Sequence, residues 1–132
     1  MLIKRVILLD DDPICNFLTK RMLESKRVTS EILIFTTADD ALEYLNGLEY
    51  PEFFYEVEGL ILLDINMPGK DGFEFLNAFR LNDHYRRFKV FMLSSSHDPQ
   101  DLEEACKHNI EVLFSKPFDE KHLNSLISRS II

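Results

Sequence analysis

The chain has 132 residues, of which 45% are hydrophobic and 29% charged, the size and balance of one folded domain rather than of a disordered segment. Lys and Arg number 15 against 23 Asp and Glu, a net charge of −8, which argues against non-specific attraction to nucleic acid or to an anionic membrane. No apolar run is long enough to cross a bilayer and the opening residues are too short for a signal peptide, so a cytoplasmic protein is expected.

Apolar runs of strand length alternate with amphipathic runs of helix length five times. A first strand is expected over 5–9, leading into Asp10-Asp11-Asp12-Pro13. Asp12 suits a helix N-cap and Pro13 the first helical position, where a missing N–H costs nothing. Ile14, Phe17, Leu18 and Met22 then recur at helical spacing. A second strand is expected over 31–35. Thr37 caps the next helix, which turns Ala41, Leu42 and Leu45 inward and stops at Gly47. Residues 48–58 form a loop or an extra helical turn, with Tyr50, Phe53, Phe54 and Tyr55 as aromatic anchors.

The third strand, over 60–63, is an unbroken apolar run that stops at Asp64. Such a run is buried on both faces, and a charge within it would be costly to bury; at its end the carboxylate can meet solvent, a metal or a phosphoryl group. A turn over 68–72 follows. A helix beginning near Gly72 presents Phe75, Leu76 and Phe79 inward. The fourth strand, over 89–93, ends in Ser94-Ser95-Ser96, and a helix starting at Asp98 or Pro99 carries Leu102, Ala105 and Cys106. The fifth strand, over 112–114, ends in Ser115-Lys116-Pro117. Asp119 caps a last helix with Leu123, Leu126, Ile127 and Ile131 on one face. Cys15 and Cys106 fall within helices without Cys-x-x-Cys spacing and are expected as reduced, partly buried thiols.

Strands alternating with helices imply an α/β fold, a five-stranded, doubly wound parallel sheet with helices on both faces. No linker, repeat or low-complexity tract divides it, so residues 1–132 are expected to form a single domain. In a parallel sheet the carboxyl ends of the strands share one edge, where ligands bind. Asp10, Asp11, Asp64, Ser94 and Lys116 all stand at such ends. Three clustered carboxylates repel unless a cation joins them, and hard oxygen ligands on short loops suit Mg²⁺. Metal and Lys116 would together neutralise an incoming phosphoryl group, Ser94 would donate a hydrogen bond to it, and Asp64 would be the nucleophile.

The residues Leu9-Asp10-Asp11-Asp12, the run from Leu63 to Gly72, Leu93-Ser94-Ser95 and Ser115-Lys116-Pro117 together resemble the receiver domains of two-component response regulators, the single-domain chemotaxis type included. The resemblance covers essentially the whole chain. It implies the flavodoxin-like (βα)5 receiver fold, with Asp64 as phosphoacceptor. Asp11 would be a direct Mg²⁺ ligand and Asp10 would act through a bound water; the backbone carbonyl of Asn66 completes the protein's share of the metal shell. Lys116 would pair with phosphoryl oxygens and Ser94 would move toward them. The implied partners are a histidine kinase or histidine phosphotransfer protein and an unidentified downstream protein. The implied role is that of a regulator, enzymatic only in catalysing its own phosphorylation and dephosphorylation.

One position departs from the family. An aromatic residue three before the lysine is usual; here it is Leu113. Phe114 is adjacent, but neighbouring strand residues face opposite sides of the sheet, so phosphorylation chemistry is expected to survive while its coupling to the fourth-helix surface is altered. The loop before the third strand should lie away from the chemistry. Three other readings compete. Asp10-x-Asp12 resembles haloacid-dehalogenase-type phosphatases with Asp10 as nucleophile, although Ile14 and Cys15 break that pattern and no cap domain is visible. A receiver-like scaffold that never takes phosphate would not need all five site positions filled. A flavodoxin relative would need a phosphate loop after the first strand.

Overall fold

The computed structural model describes residues 3–29, 31–49, 57–95, 98–110 and 112–129. The strands are β1 (Arg5–Leu9), β2 (Ile32–Phe35), β3 (Gly59–Asp64), β4 (Phe88–Ser94) and β5 (Leu113–Ser115). The helices are α1 (Pro13–Lys26), α2 (Ala38–Asn46), α3 (Gly72–Phe79), α4 (Pro99–Lys107) and α5 (Glu120–Ser128), with a short 3-10 turn at Tyr85–Arg87 before β4. The strands form one parallel sheet in the order β2-β1-β3-β4-β5. β3 is buried along its whole length, as its unbroken apolar run requires.

Alternation along the strands divides the core into two layers. Ile7, Leu9, Ile61, Leu63 and Met92 face α2, α3 and Ala105 of α4. Val6, Leu8, Leu60, Leu62, Phe91 and Leu93 face Leu23 of α1 and Leu123 and Leu126 of α5. Each large aliphatic side chain buried this way contributes about 1.5–3 kcal/mol of transfer free energy. Helices therefore cover both faces, and the strand order reverses direction at β1 and β3, which opens a crevice beyond their carboxyl ends.

The helix starts follow their sequence signals. Asp12, Thr37, Asp71, Asp98 and Asp119 each accept a hydrogen bond from a backbone N–H in the first turn of their helix. Gly47 stands at the C-cap of α2. Gly59 lets β1 and β3 pair closely, since a Cβ there would collide with the Arg5 carbonyl.

The facing of α1 departs from the apolar spacing. Ile14, Phe17 and Leu18 are 69%, 57% and 50% exposed, while Asn16, Thr19 and Leu23 are buried. The inward face is partly polar: the Asn16 side-chain amide donates to the Asp10 carbonyl at 2.9 Å and satisfies the end of β1. Two further helices bury less than their patterns suggest. In α4 only Ala105 is buried, with Leu102 and Cys106 exposed; in α5 Leu123 and Leu126 are buried and Ile127 is half exposed. A short helix on one side of a sheet buries only a narrow stripe, and residues one position off it face outward. Cys15 is half-buried, and both thiols are free. Tyr50, Phe53, Phe54, Tyr55, Ser96 and Ile131 lie outside the described residues.

Candidate functional site

Three strand ends and the segment after β5 supply the residues singled out in the sequence. β1 delivers Asp10 and the residues after it, β3 delivers Asp64 as its last residue, β4 delivers Ser94, and the segment after β5 delivers Lys116. Carboxylate oxygens of Asp10, Asp11 and Asp64 all lie within 4.8 Å of one another. Asp10 and Asp64 are buried and Asp11 is exposed.

Hydrogen bonds orient the acids. The Asp12 N–H donates to Asp10 Oδ1 at 2.9 Å, which tightens the turn from β1 into α1. The Asn66 N–H donates to Asp64 Oδ1 at 3.2 Å, so the turn after β3 holds the carboxylate it follows. Asp12 serves as the α1 cap, accepting from Ile14 and Cys15, and its hydrogen bonds with Cys15 hold its carboxyl below the usual carboxylate range. Lys116 Nζ reaches between the two buried acids, 2.8 Å from Asp10 Oδ2 and 3.2 Å from Asp64 Oδ2.

The electrostatics follow from this crowding. Burial, and then the neighbouring Asp10 charge, push the Asp64 carboxyl up to about 6, while Lys116 and the Asn66 N–H pull in the opposite direction. Burial works against the Lys116 ammonium, but the hydrogen bonds and charges of Asp10 and Asp64 outweigh it and hold its pKa above that of an ordinary lysine. One ammonium against three carboxylates leaves the pocket with surplus negative charge. A divalent cation on the oxygens of Asp10, Asp11 and Asp64 would remove it, and an all-oxygen donor set of this kind fits Mg²⁺.

A cavity of about 520 Å³ opens over these groups, lined by Asp11, Asp64, Asn66, Ser95 and Lys116, with Cys15 and Leu18 of α1 on one wall. Of the residues singled out in the sequence, Asp10, Asp11, Asp64 and Lys116 converge, and Asn66 stands beside them. Ser94 is placed differently: its hydroxyl donates to Asp101 Oδ2 on α4 at 3.0 Å, and its side lines a neighbouring gap of about 290 Å³ between β4, the start of α4 and β5. Leu113 lines that gap too and packs against the α2–α3 side of the core, whereas Phe114 packs on the opposite face, 5.7 Å from the Phe118 ring. Asp101 had no distinguishing sequence signal, being one of three acids, with Glu103 and Glu104, on a largely exposed helix. Gly72 was also missed as a site residue. A Cβ there would strike the Asp64 carbonyl oxygen, so only glycine lets α3 begin against the end of β3.

The response regulator receiver domain family matches residues 6–128. A two-component response regulator structure from Cytophaga hutchinsonii is similar, 31% identical with a TM-score of 0.81, covering 99% of this chain and 98% of that one. Response regulator Rcp1 of Synechocystis is 26% identical over 94% of this chain and 84% of its own length. Two-component response regulator ORR1 of Oryza sativa subsp. japonica is 25% identical over 94% of this chain, which spans only 54% of that protein. The haloacid-dehalogenase alternative is not supported: the receiver-domain family match runs across nearly the whole chain.

Proposed function

The chain belongs to the response regulator receiver domain family of two-component signalling, and from that premise we propose that Asp64 is the residue that takes the phosphoryl group. The observation that carries this reading is the position of Asp64: a buried carboxylate at the end of the central strand, contacted by Lys116 at 3.2 Å and facing an open cavity. A carboxylate oxygen of Asp64 attacks phosphorus, and the bond from phosphorus to the donor breaks. The bonding pair leaves with the donor, as imidazole nitrogen from a phosphohistidine or as carboxylate from an acyl phosphate. Lys116 offsets charge on the transferring group, and the Asn66 N–H keeps the Asp64 carboxylate oriented through the step.

Asp10, Asp11 and Asp64, with the Asn66 backbone carbonyl, are the residues that would hold Mg²⁺. When bound, the ion supplies charge neutralisation for the phosphoryl oxygens. Receiver domains work with histidine kinases or phosphotransfer proteins, and such a protein is the proposed donor here. Leu18 lines the cavity, and Ile14 and Phe17 extend the exposed apolar surface of the same helix, which gives a donor protein something to cover. In this reading residues 1–132 act as one receiver unit in the cytoplasm. It serves as a regulator rather than a metabolic enzyme, passing its state to a downstream protein and not to nucleic acid. No helix among the described residues is long and apolar enough to cross a membrane.

The test is direct. The protein is incubated with Mg²⁺ and acetyl phosphate, trapped with borohydride and mapped by mass spectrometry. The label is expected on Asp64. Label on Asp10, or none in the presence of Mg²⁺, would overturn the assignment.

A further inference from the structure

Ser94 is withdrawn from solvent, its exposure being 3%, and its hydroxyl is turned toward α4. The Oγ donates to Asp101 Oδ2 at 3.0 Å. A serine hydroxyl has one hydrogen to give, and an ionised carboxylate can only accept. The same proton cannot be donated at once to Asp101 and to a phosphoryl oxygen above Asp64. Any use of Ser94 as a donor at the acid pocket must therefore break its bond to α4.

The surroundings show that this bond is not there to start the helix. Asp98 caps α4, accepting from the Gln100 N–H at 2.9 Å, and the Asp101 N–H bonds the Asp98 carbonyl at 3.1 Å. The Asp101 carboxylate is surplus to that cap and reaches back to β4 instead. On the β5 side, Leu113 faces this gap without a polar side-chain group, and Ser115, which also lines it, is exposed. The gap bounded by Ser94, Leu102 and Leu113, about 290 Å³, leaves the first turn of α4 loosely backed on the β5 side. The Ser94–Asp101 bond thus ties the end of β4 across this gap.

We infer that Asp101 is a positioning residue of the phosphorylation site: it holds the Ser94 hydroxyl on α4, so the movement of Ser94 toward a phosphoryl group that the family implies must in this chain first break the bond to Asp101. The inference rests on Asp64 as the phosphoacceptor. A group arriving at Asp64 must compete with a charged acceptor for Ser94, so the unmodified protein resists the change by the strength of that bond. Exposed Leu102, next to Asp101, is the part of the surface that release would affect first.

The experiment measures affinity for beryllofluoride with Mg²⁺, as a mimic of the acyl phosphate, by titration calorimetry. It compares the wild-type chain with Asp101→Ala, Asp101→Asn, Ser94→Ala, the Ser94→Ala/Asp101→Ala double variant and Asp64→Asn. Asp101→Ala is expected to bind about three- to tenfold more tightly than wild type, the range set by a hydrogen bond to a charged acceptor that is partly offset by solvent. Asp101→Asn, which keeps a neutral acceptor, is expected to fall between the two. In the Ser94→Ala background, Asp101→Ala should lose most of that gain, because the hydroxyl that Asp101 held is already gone. Circular dichroism checks that each variant is folded, and Asp101→Asn carries the comparison if Asp101→Ala is not. Equal affinity in wild type and both Asp101 variants, or the same gain with and without Ser94, overturns the latch. Binding that survives in Asp64→Asn, or is absent from wild type, instead overturns the phosphoacceptor reading and the latch with it.

Discussion

Lys116 Nζ stands 3.2 Å from Asp64 Oδ2, and the same ammonium touches Asp10 at 2.8 Å. One cation from the segment after β5 therefore restrains two buried acids that come from the two central strands. The pair is a compromise: the lysine gains charge-assisted hydrogen bonds, yet Asp64 still sits well above an ordinary carboxylate, at about 6.

Removing that cation should expose the conflict. Lys116→Ala is expected to raise the Asp64 pKa further and to slow labelling by acetyl phosphate by about a hundredfold, the usual scale for losing one electrostatic stabiliser. Because the folded-state pKa of Asp64 is raised, its ionisation costs stability as pH rises through about 6. The variant should therefore lose more stability at pH 8 than at pH 5 in urea melts with EDTA. A loss independent of pH would contradict this.

Asp64→Asn tests the same strain from the other side. Without metal at pH 7 it should stabilise the fold by about 1–3 kcal/mol, since a shift of one unit is about 1.4 kcal/mol. The gain should vanish below about pH 4, where the carboxyl is neutral in both folded and unfolded chains. Thermal melts at the two pH values measure it, and an equal gain at both would show that charge is not the cause.

Asp11 is the exposed member of the acidic trio, so its removal should separate metal binding from folding. Asp11→Ala is expected to weaken Mg²⁺ binding at least about tenfold, the scale of losing a carboxylate ligand or its support. It should leave stability within about 0.5 kcal/mol, as for most surface substitutions. A Mg²⁺ titration by calorimetry beside a denaturation curve gives both numbers; unchanged metal affinity would remove Asp11 from the site.

Gly69, in the turn after β3, and Gly72, the first residue of α3, should behave differently on substitution. At Gly72 a Cβ would strike the Asp64 carbonyl and come within 3.0 Å of Ile65 Cα and Met92 Cε. Gly72→Ala is expected to destabilise by about 1–3 kcal/mol through overpacking and to disturb the labelling of Asp64. Gly69 has φ +77°, and a methyl group added there would meet nothing within 4 Å, so Gly69→Ala should cost only the left-handed backbone penalty of about 1 kcal/mol. Urea melts and labelling rates of the pair decide it: normal labelling in a folded Gly72→Ala would show that α3 can shift without moving Asp64.

Leu113 borders the gap beside α4 and lies off the acid cavity. Leu113→Tyr is therefore expected to leave the rate of Asp64 labelling essentially unchanged while altering how α4 responds. Backbone amide shifts of α4, recorded by NMR with and without beryllofluoride, report the response. A large change in rate with an unaltered α4 response would reverse the assignment.

The chain's own residues determined the five strands and five helices, because a period of two or of 3.6 and a capping aspartate are local properties. They also determined that Asp10, Asp11, Asp64 and Lys116 meet, because a parallel sheet puts the carboxyl end of every strand on one edge. Local patterning could not decide which way α1 faces. Phe17 and Leu18 hold the apolar spacing, yet they face outward while Asn16 faces inward and bonds the Asp10 carbonyl. Nor could it show that Ser94 gives its proton to Asp101, or that the start of α3 presses against Asp64 so closely that position 72 admits no side chain. Those outcomes depend on distances between elements that pack against one another, and only the assembled core sets such distances.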